Sequence, residues 1–176
     1  AGLSNFPKNS PHMVARISVG KNLYGALAYN QNKVDEGGAK VLSAHLLRYP
    51  EDGRFRPDES VRQFLEWMPN HYRTEKPVIH ISLNPHPDDV LTDGQLAEIG
   101  REYMQRLGYG NQPYLVFKHE DIGRHHIHIV SLRVDSEGRK VSDKFEYRRS
   151  KEITELLEQK YACIRRKAGR KAKSGS

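Results

Sequence analysis

FKHEDIGRHHIHIV, residues 117–130, holds four of the chain's nine histidines. Its second half alternates, with His126 and His128 interleaved by Ile127 and Ile129. Residues two apart on a strand project from the same face. The two histidines therefore point one way, and the isoleucines, with His125, point the other. PYLVFKH (113–119) and HHIHIVSLRVD (125–135) read as two strands joined by the five residues EDIGR. So short a connection makes the pair antiparallel. On the first strand Leu115, Phe117 and His119 share a face. If that face is also the face of His126 and His128, three imidazoles converge at one end of a sheet. Val130 and Leu132 then continue the same face into the core.

Working outward, MVARISV (13–19) reads as a first strand, broken by Gly20. NLYGALAYNQNK (22–33) reads as a helix, with Leu23, Ala26, Leu27 and Asn30 at helical spacing and Gly37-Gly38 beyond its end. AKVLSAHLL (39–47) is ambiguous and could form a short strand. PDESVRQFLEWMPN (57–70) is a helix with Asp58 as its expected N-cap and Val61, Phe64, Leu65 and Met68 as its expected buried stripe. KPVIHISLN (76–84), rich in β-branched residues, reads as an interior strand. TDGQLAEIGREYMQRLG (92–108) is an amphipathic helix, capped by Thr92 and stopped by Gly108. After a turn at Ser136-Glu137-Gly138, a last helix rich in Arg and Lys is expected from Tyr147 to about Ala168. The order implies an α+β fold, an antiparallel sheet with helices packed on its faces.

The chain has 176 residues, a net charge of +7 and a single cysteine, Cys163. The length suits one compact domain. One cysteine excludes an internal disulfide and a cysteine-cluster zinc site, and fits a reducing, cytoplasmic setting. No apolar run approaches the ~20 residues of a membrane span. The basic balance points to a polyanion, nucleic acid first. No phosphate-binding glycine loop is present, so no nucleotide cofactor is expected. Residues 1–12, AGLSNFPKNSPH, read as an expression-vector remnant ahead of a native start at Met13. Residues 13–150 then form the functional domain, and 151–176 a basic helix and tail.

His119, His126 and His128 on one rigid hairpin would make a three-nitrogen metal site with open positions, the mark of a catalytic centre. Imidazole suits several divalent metals, so the ligands do not select among them. The alternative is a surface strand whose histidines are solvated or bonded to carbonyls. His45, His71, His80 and His86 show no comparable partners and are assigned to that plainer role. Asp121, beside Glu120 in the connection, could orient a ligand histidine or be an ordinary turn aspartate.

His119-Glu120-Asp121 followed by His126-Ile127-His128 resembles the third motif of the conjugative relaxases, H-x-D-x-x-x-x-H-x-H. These are nicking enzymes of the HUH endonuclease superfamily, and the spacing is similar to their plasmid-mobilisation branch. NLYGALAYNQNKV resembles the first motif, a helix with a nucleophilic tyrosine after a first strand. VIHISLNPHPDDVLTDGQLAEIGREYMQRLG resembles the second, a strand ending in Ser or Asn before a helix. The similarity covers Met13 to about Asp135.

The resemblance implies the HUH (Rep/relaxase-like) fold and a DNA relaxase that nicks one strand at an origin of transfer. Tyr29 would be the nucleophile, favoured over Tyr24 chiefly by the family pattern, with Asp121 assisting. A phenol of reference pKa ~10 is mostly protonated at neutral pH, so a metal or base must assist it. One divalent ion, Mg2+ or Mn2+ in function with Zn2+ or Ni2+ also possible, would sit on His119, His126 and His128. Ser82 and Asn84 match the second motif and are expected at the DNA; Arg124, Arg133, Arg148 and Arg149, nearest the hairpin in sequence, are the candidates for backbone contact. The resemblance also implies single-stranded DNA at the transfer origin as substrate. It implies accessory mobilisation proteins and a secretion coupling protein as partners, and a bacterial mobile element as the source. The alternatives are a rolling-circle replication initiator of the same superfamily, with Tyr147 or Tyr161 as nucleophile, and a non-catalytic basic nucleic-acid-binding module. A metal-dependent hydrolase using water is a third.

Overall fold

The computed structural model of the protein describes residues 12–120 and 125–173, with side chains as far as Tyr161. Among the described residues nine elements follow one another: β1 (Val14–Gly20), α1 (Leu23–Asp35), β2 (Ala39–His45), α2 (Pro57–Trp67), β3 (Val78–Asn84), α3 (Asp93–Leu107), β4 (Tyr114–His119), β5 (His126–Leu132) and α4 (Glu146–Lys173). The strands form a single sheet in the order β1-β3-β5-β4-β2, and every neighbouring pair is antiparallel. The ambiguous segment from Ala39 is thus an edge strand, while β3 lies inside the sheet, as its β-branched sequence requires. This is the expected α+β architecture. Among the described residues no helix is long and apolar enough to cross a membrane.

Strand alternation gives the sheet two separate apolar faces. On one, Ile79, Ile81, Leu83, Val116, Ile127 and Ile129 pack against Leu96, Ile99, Tyr103, Met104 and Leu107 of α3 and Ile153, Leu157 and Tyr161 of α4. On the other, Val78, Leu115, Phe117, Val130 and Leu132 pack against Leu23 and Leu27 of α1 and Phe64 of α2. Each fully buried side chain of this size stabilises the fold by about 1.5–3 kcal/mol. The three histidines of the β4–β5 hairpin belong to the second face, under α1.

The helix ends show why these segments stop where they do. Thr92 accepts a hydrogen bond from the Gln95 backbone N–H at 3.1 Å, and the Gln95 side chain accepts one from the Thr92 N–H at 2.8 Å. This reciprocal pair starts α3. Gly108 ends it in the left-handed region at φ 101°, where a side chain would be strained.

α2 departs from expectation. Its N-cap position is Arg56, with no side-chain cap bond, and Pro57 occupies the first helical turn. Asp58 therefore lies inside the helix, favourable to the helix dipole rather than capping it. Leu65 is 55% exposed. Phe64 faces the sheet, with Val61, Trp67 and Met68 packed around the same cluster. Leu65, about 100° further round the helix, turns to solvent. α2 also stops at Trp67 rather than Asn70, β5 spans less than the expected 125–135, and α4 runs longer than expected.

Candidate active site

His119 ends β4 and pairs across the ladder with His126 at the start of β5; His128 lies across from Phe117 on one side and Ser82 on the other. The common register places His119, His126 and His128 on one face. All three are buried. One nitrogen from each lies within 4.8 Å of the others. The His119 and His128 ring centroids are 4.0 Å apart, and His128 Nε2 is 2.9 Å from His126 Nδ1.

Burial, reinforced by the neighbouring imidazoles of His119, His80 and His126, holds the His128 pKa far below the ordinary histidine range. The ring is therefore neutral and keeps a lone pair, the state that ligates a cation. Three buried nitrogen donors on a rigid hairpin fit a divalent ion such as Zn2+, Mn2+ or Ni2+, and leave positions for oxygen ligands of a substrate.

α1 lies over this trio. Asn22 starts it by accepting the Gly25 backbone N–H at 2.8 Å. Asn30, fully buried, donates through Nδ2 to the Ala26 carbonyl at 2.8 Å. That bond fixes the amide orientation, so its Oδ1, 2.8 Å from His119 Nε2, accepts from the ring N–H. The adjacent Tyr29 stacks on His119, with ring centroids 6.3 Å apart and 23° between planes, and is 45% exposed. It lines a cleft of about 310 Å³ with Ser18, Lys21, Asn22 and His80. Tyr29 thus lies beside the buried His119 ring and on an open surface. Tyr24 is also exposed on α1, but among the described residues the tyrosine of α1 that stacks on a histidine is Tyr29.

The other candidates divide. Ser82 and Asn84 are buried on the histidine face of β3, and Asn84 Oδ1 has no hydrogen-bond partner among the described residues. Arg133 is turned inward, donating to the Lys76 carbonyl at 3.0 Å and to Asp143 at 3.2 Å. Its side chain is 11% exposed. Arg149 donates to the Leu107 carbonyl at 2.7 Å, at the end of α3, and Arg148 lies over the Phe145 ring at 4.4 Å. Asp121 and Arg124 lie outside the described residues. Glu120, just before them, pairs with the buried Lys118 at 2.7 Å, and that ammonium holds its carboxyl below the usual range. Tyr161 is in the α3–α4 core, on the face opposite the histidines. Tyr147, 86% exposed, borders a groove between β1 and α4.

Two residues escaped the sequence reading. His45 and His86 do have local structural partners, the Gly110 carbonyl at 2.8 Å and the Asp88 N–H at 3.0 Å. The sequence groups His80 with them, yet its Nε2 lies 3.0 Å from His128 Nδ1. Asn30 was read only as a member of the apolar stripe. A polar residue at a core position was the available signal for it.

The model of one protein family, the relaxase MobA/VirD2-like nuclease domain, matches residues 29–163, more than half of the chain. The chain belongs to this relaxase family. Its matched span begins at Tyr29 and contains all three hairpin histidines. No curated protein matches the chain. As a relaxase nuclease domain it is a DNA-nicking endonuclease that binds single-stranded DNA. Relaxases generally use a divalent metal, and the buried histidine trio is a donor set able to hold one.

Proposed function

We propose that this relaxase cuts one DNA strand at a transfer origin by transesterification through Tyr29, mobilising a bacterial element. The supporting observation is the Tyr29 ring stacked on His119, beside a buried neutral imidazole cluster and open to a cleft. His119, His126 and His128 would hold the metal. When bound, a divalent cation supplies Lewis-acid polarisation of the scissile phosphate and takes up charge in the transition state. The Tyr29 Oη bonds to phosphorus as the bond from phosphorus to the 3′ oxygen breaks. The phenol gives up its proton and the departing 3′ oxygen gains one. The products are a 5′-phosphotyrosine and a free 3′-hydroxyl, and the ester bond energy is kept, so the strand can be rejoined without a nucleotide.

Single-stranded DNA enters along the cleft lined by Ser18, Lys21 and Asn22, with Lys21 contacting backbone phosphate. Ser82 and Asn84, buried on the histidine face of β3, are assigned a supporting role beneath the substrate, with Asn84 Oδ1 lacking a hydrogen-bond partner among the described residues. Asp121 and Arg124, which follow β4 and precede β5 in the sequence, are assigned the roles of orienting a ligand and holding phosphate. Accessory mobilisation proteins and a secretion coupling protein complete the transfer machinery.

End-labelled single strands tiled across the DNA flanking the protein's own gene, incubated with Mn2+ and run on a denaturing gel, test this reading. The expected result is a protein–DNA adduct that disappears in Tyr29→Phe and with chelator, and persists in Tyr24→Phe and Tyr147→Phe. An adduct surviving Tyr29→Phe but lost in Tyr147→Phe would establish the replication-initiator reading. Cleavage with no adduct would establish hydrolysis by water, and chelator-insensitive binding with no cleavage a plain binding module.

A further inference from the structure

His80 lies on β3 across from Val130, one place along the same face from the Ser82–His128 pair. Its Nε2 is 3.0 Å from His128 Nδ1, and the two rings are stacked with centroids 5.0 Å apart and 29° between planes. The other nitrogen of His128, Nε2, faces His126 at 2.9 Å. Each nitrogen of His128 therefore has its own neighbour, His80 behind and the cluster in front. We propose that His80 is a positioning residue for the metal centre: its Nε2 accepts the Nδ1 proton of His128 and holds that ring with its Nε2 lone pair toward His119 and His126. This rests on reading the three histidines as ligands.

The physical logic is tautomeric. A neutral imidazole has one N–H and one lone pair, and a partner that takes the N–H decides which nitrogen can ligate. Metal-bound histidines usually donate that N–H to a carboxylate or a carbonyl. Here the acceptor is an uncharged ring, so His128 is oriented without adding negative charge beside the metal. Accepting requires a lone pair on His80 Nε2, the atom that faces His128 Nδ1 at 3.0 Å. His80 can accept only with its own proton on Nδ1. The same ring lines the cleft of Tyr29 and Lys21, so it joins the rear of His128 to the surface where DNA enters.

The test uses the whole chain and needs no nicking activity. Long-range 1H–15N NMR of the metal-free, 15N-labelled protein reads the His128 tautomer, and calorimetry reads Mn2+ and Zn2+ affinity. Wild type is expected to carry the His128 proton on Nδ1. His80→Leu is expected to lose that preference and bind both metals about 10–100-fold more weakly. His80→Gln, whose side-chain oxygen can accept the same proton, restores most of the affinity. A wild-type proton on Nε2 overturns the proposal. So does a folded His80→Leu with unchanged tautomer and affinity. Should His80→Leu not fold, the wild-type tautomer decides. Failure of the wild type to bind either metal sinks the ligand reading of the trio, while the tautomer still reports the His80–His128 bond.

Discussion

At the scale of single residues the site depends on keeping imidazoles neutral. Burial lowers the pKa of both His80 and His128 below the ordinary value. In the unfolded chain each titrates near ~6.5, so below that pH the unfolded state binds more protons than the native one. The stability these residues contribute is complete above about pH 6.5 and is lost as the pH falls toward their native pKa values. Chelated protein is expected to show a thermal midpoint that declines from pH 7 to pH 5. His128→Asn, which removes the group with the larger shift, should flatten that decline. An identical slope in the two proteins, followed by circular dichroism, would show that His128 is not buried neutral. His119, His126 and His128 were legible in the sequence because a period of two is a local signal. His80 was not, because its partner stands 48 residues further on and the contact exists only through the β3–β5 register. Arg133 shows the converse, that nearness in sequence does not fix a side chain's partners. It is near the hairpin in sequence, but its guanidinium is committed to Lys76 and Asp143.

At the scale of elements, α1 is held to the sheet by unlike contacts. Leu23 and Leu27 enter the apolar cluster, while Asn30, one turn on, enters the histidines. Helical periodicity placed all three on one face, but only the sheet beneath shows why the last is polar. Replacing Asn30 with Leu leaves the buried His119 N–H without its acceptor, which costs about 1–3 kcal/mol. Urea denaturation of metal-free Asn30→Leu should show a loss of that size. A stability equal to wild type would mean that the Asn30–His119 bond contributes nothing. α3 offers the contrasting case, since its ends were readable from sequence: Thr92, Gln95 and Gly108 act locally. Thr92→Ala should cost about 1 kcal/mol by the same measurement and leave metal affinity unchanged, because α3 packs on the sheet face opposite the histidines. α2 shows the limit of such reading. Proline at the first turn supplies a helix start without a capping side chain, and Asp58 was the more conspicuous residue.

At the scale of the molecule, the sheet separates two cores. α3 and α4 stabilise one face, and the other carries the histidines and α1. The alternation in β4 and β5 made this division readable, whereas the pairing of β2 with β4 and of β1 with β3 joins segments far apart in sequence and leaves no local signature. The division predicts independence. Metal bound only by the native state raises stability by RT ln(1 + [L]/Kd), about 2.7 kcal/mol at a hundredfold excess over Kd. Ile99→Val, in the α3 core, should lower stability by about 0.5–1.5 kcal/mol and leave the Mn2+-induced increment unchanged, since distant changes add. Phe117→Leu alters the residue directly across from His128, so it should lower both stability and the increment. Thermal denaturation with and without Mn2+ measures all of these quantities. If Ile99→Val shrinks the increment as much as Phe117→Leu does, the sheet transmits strain from one face to the other. The histidine cluster would then be tuned by the whole core and not by its own layer alone.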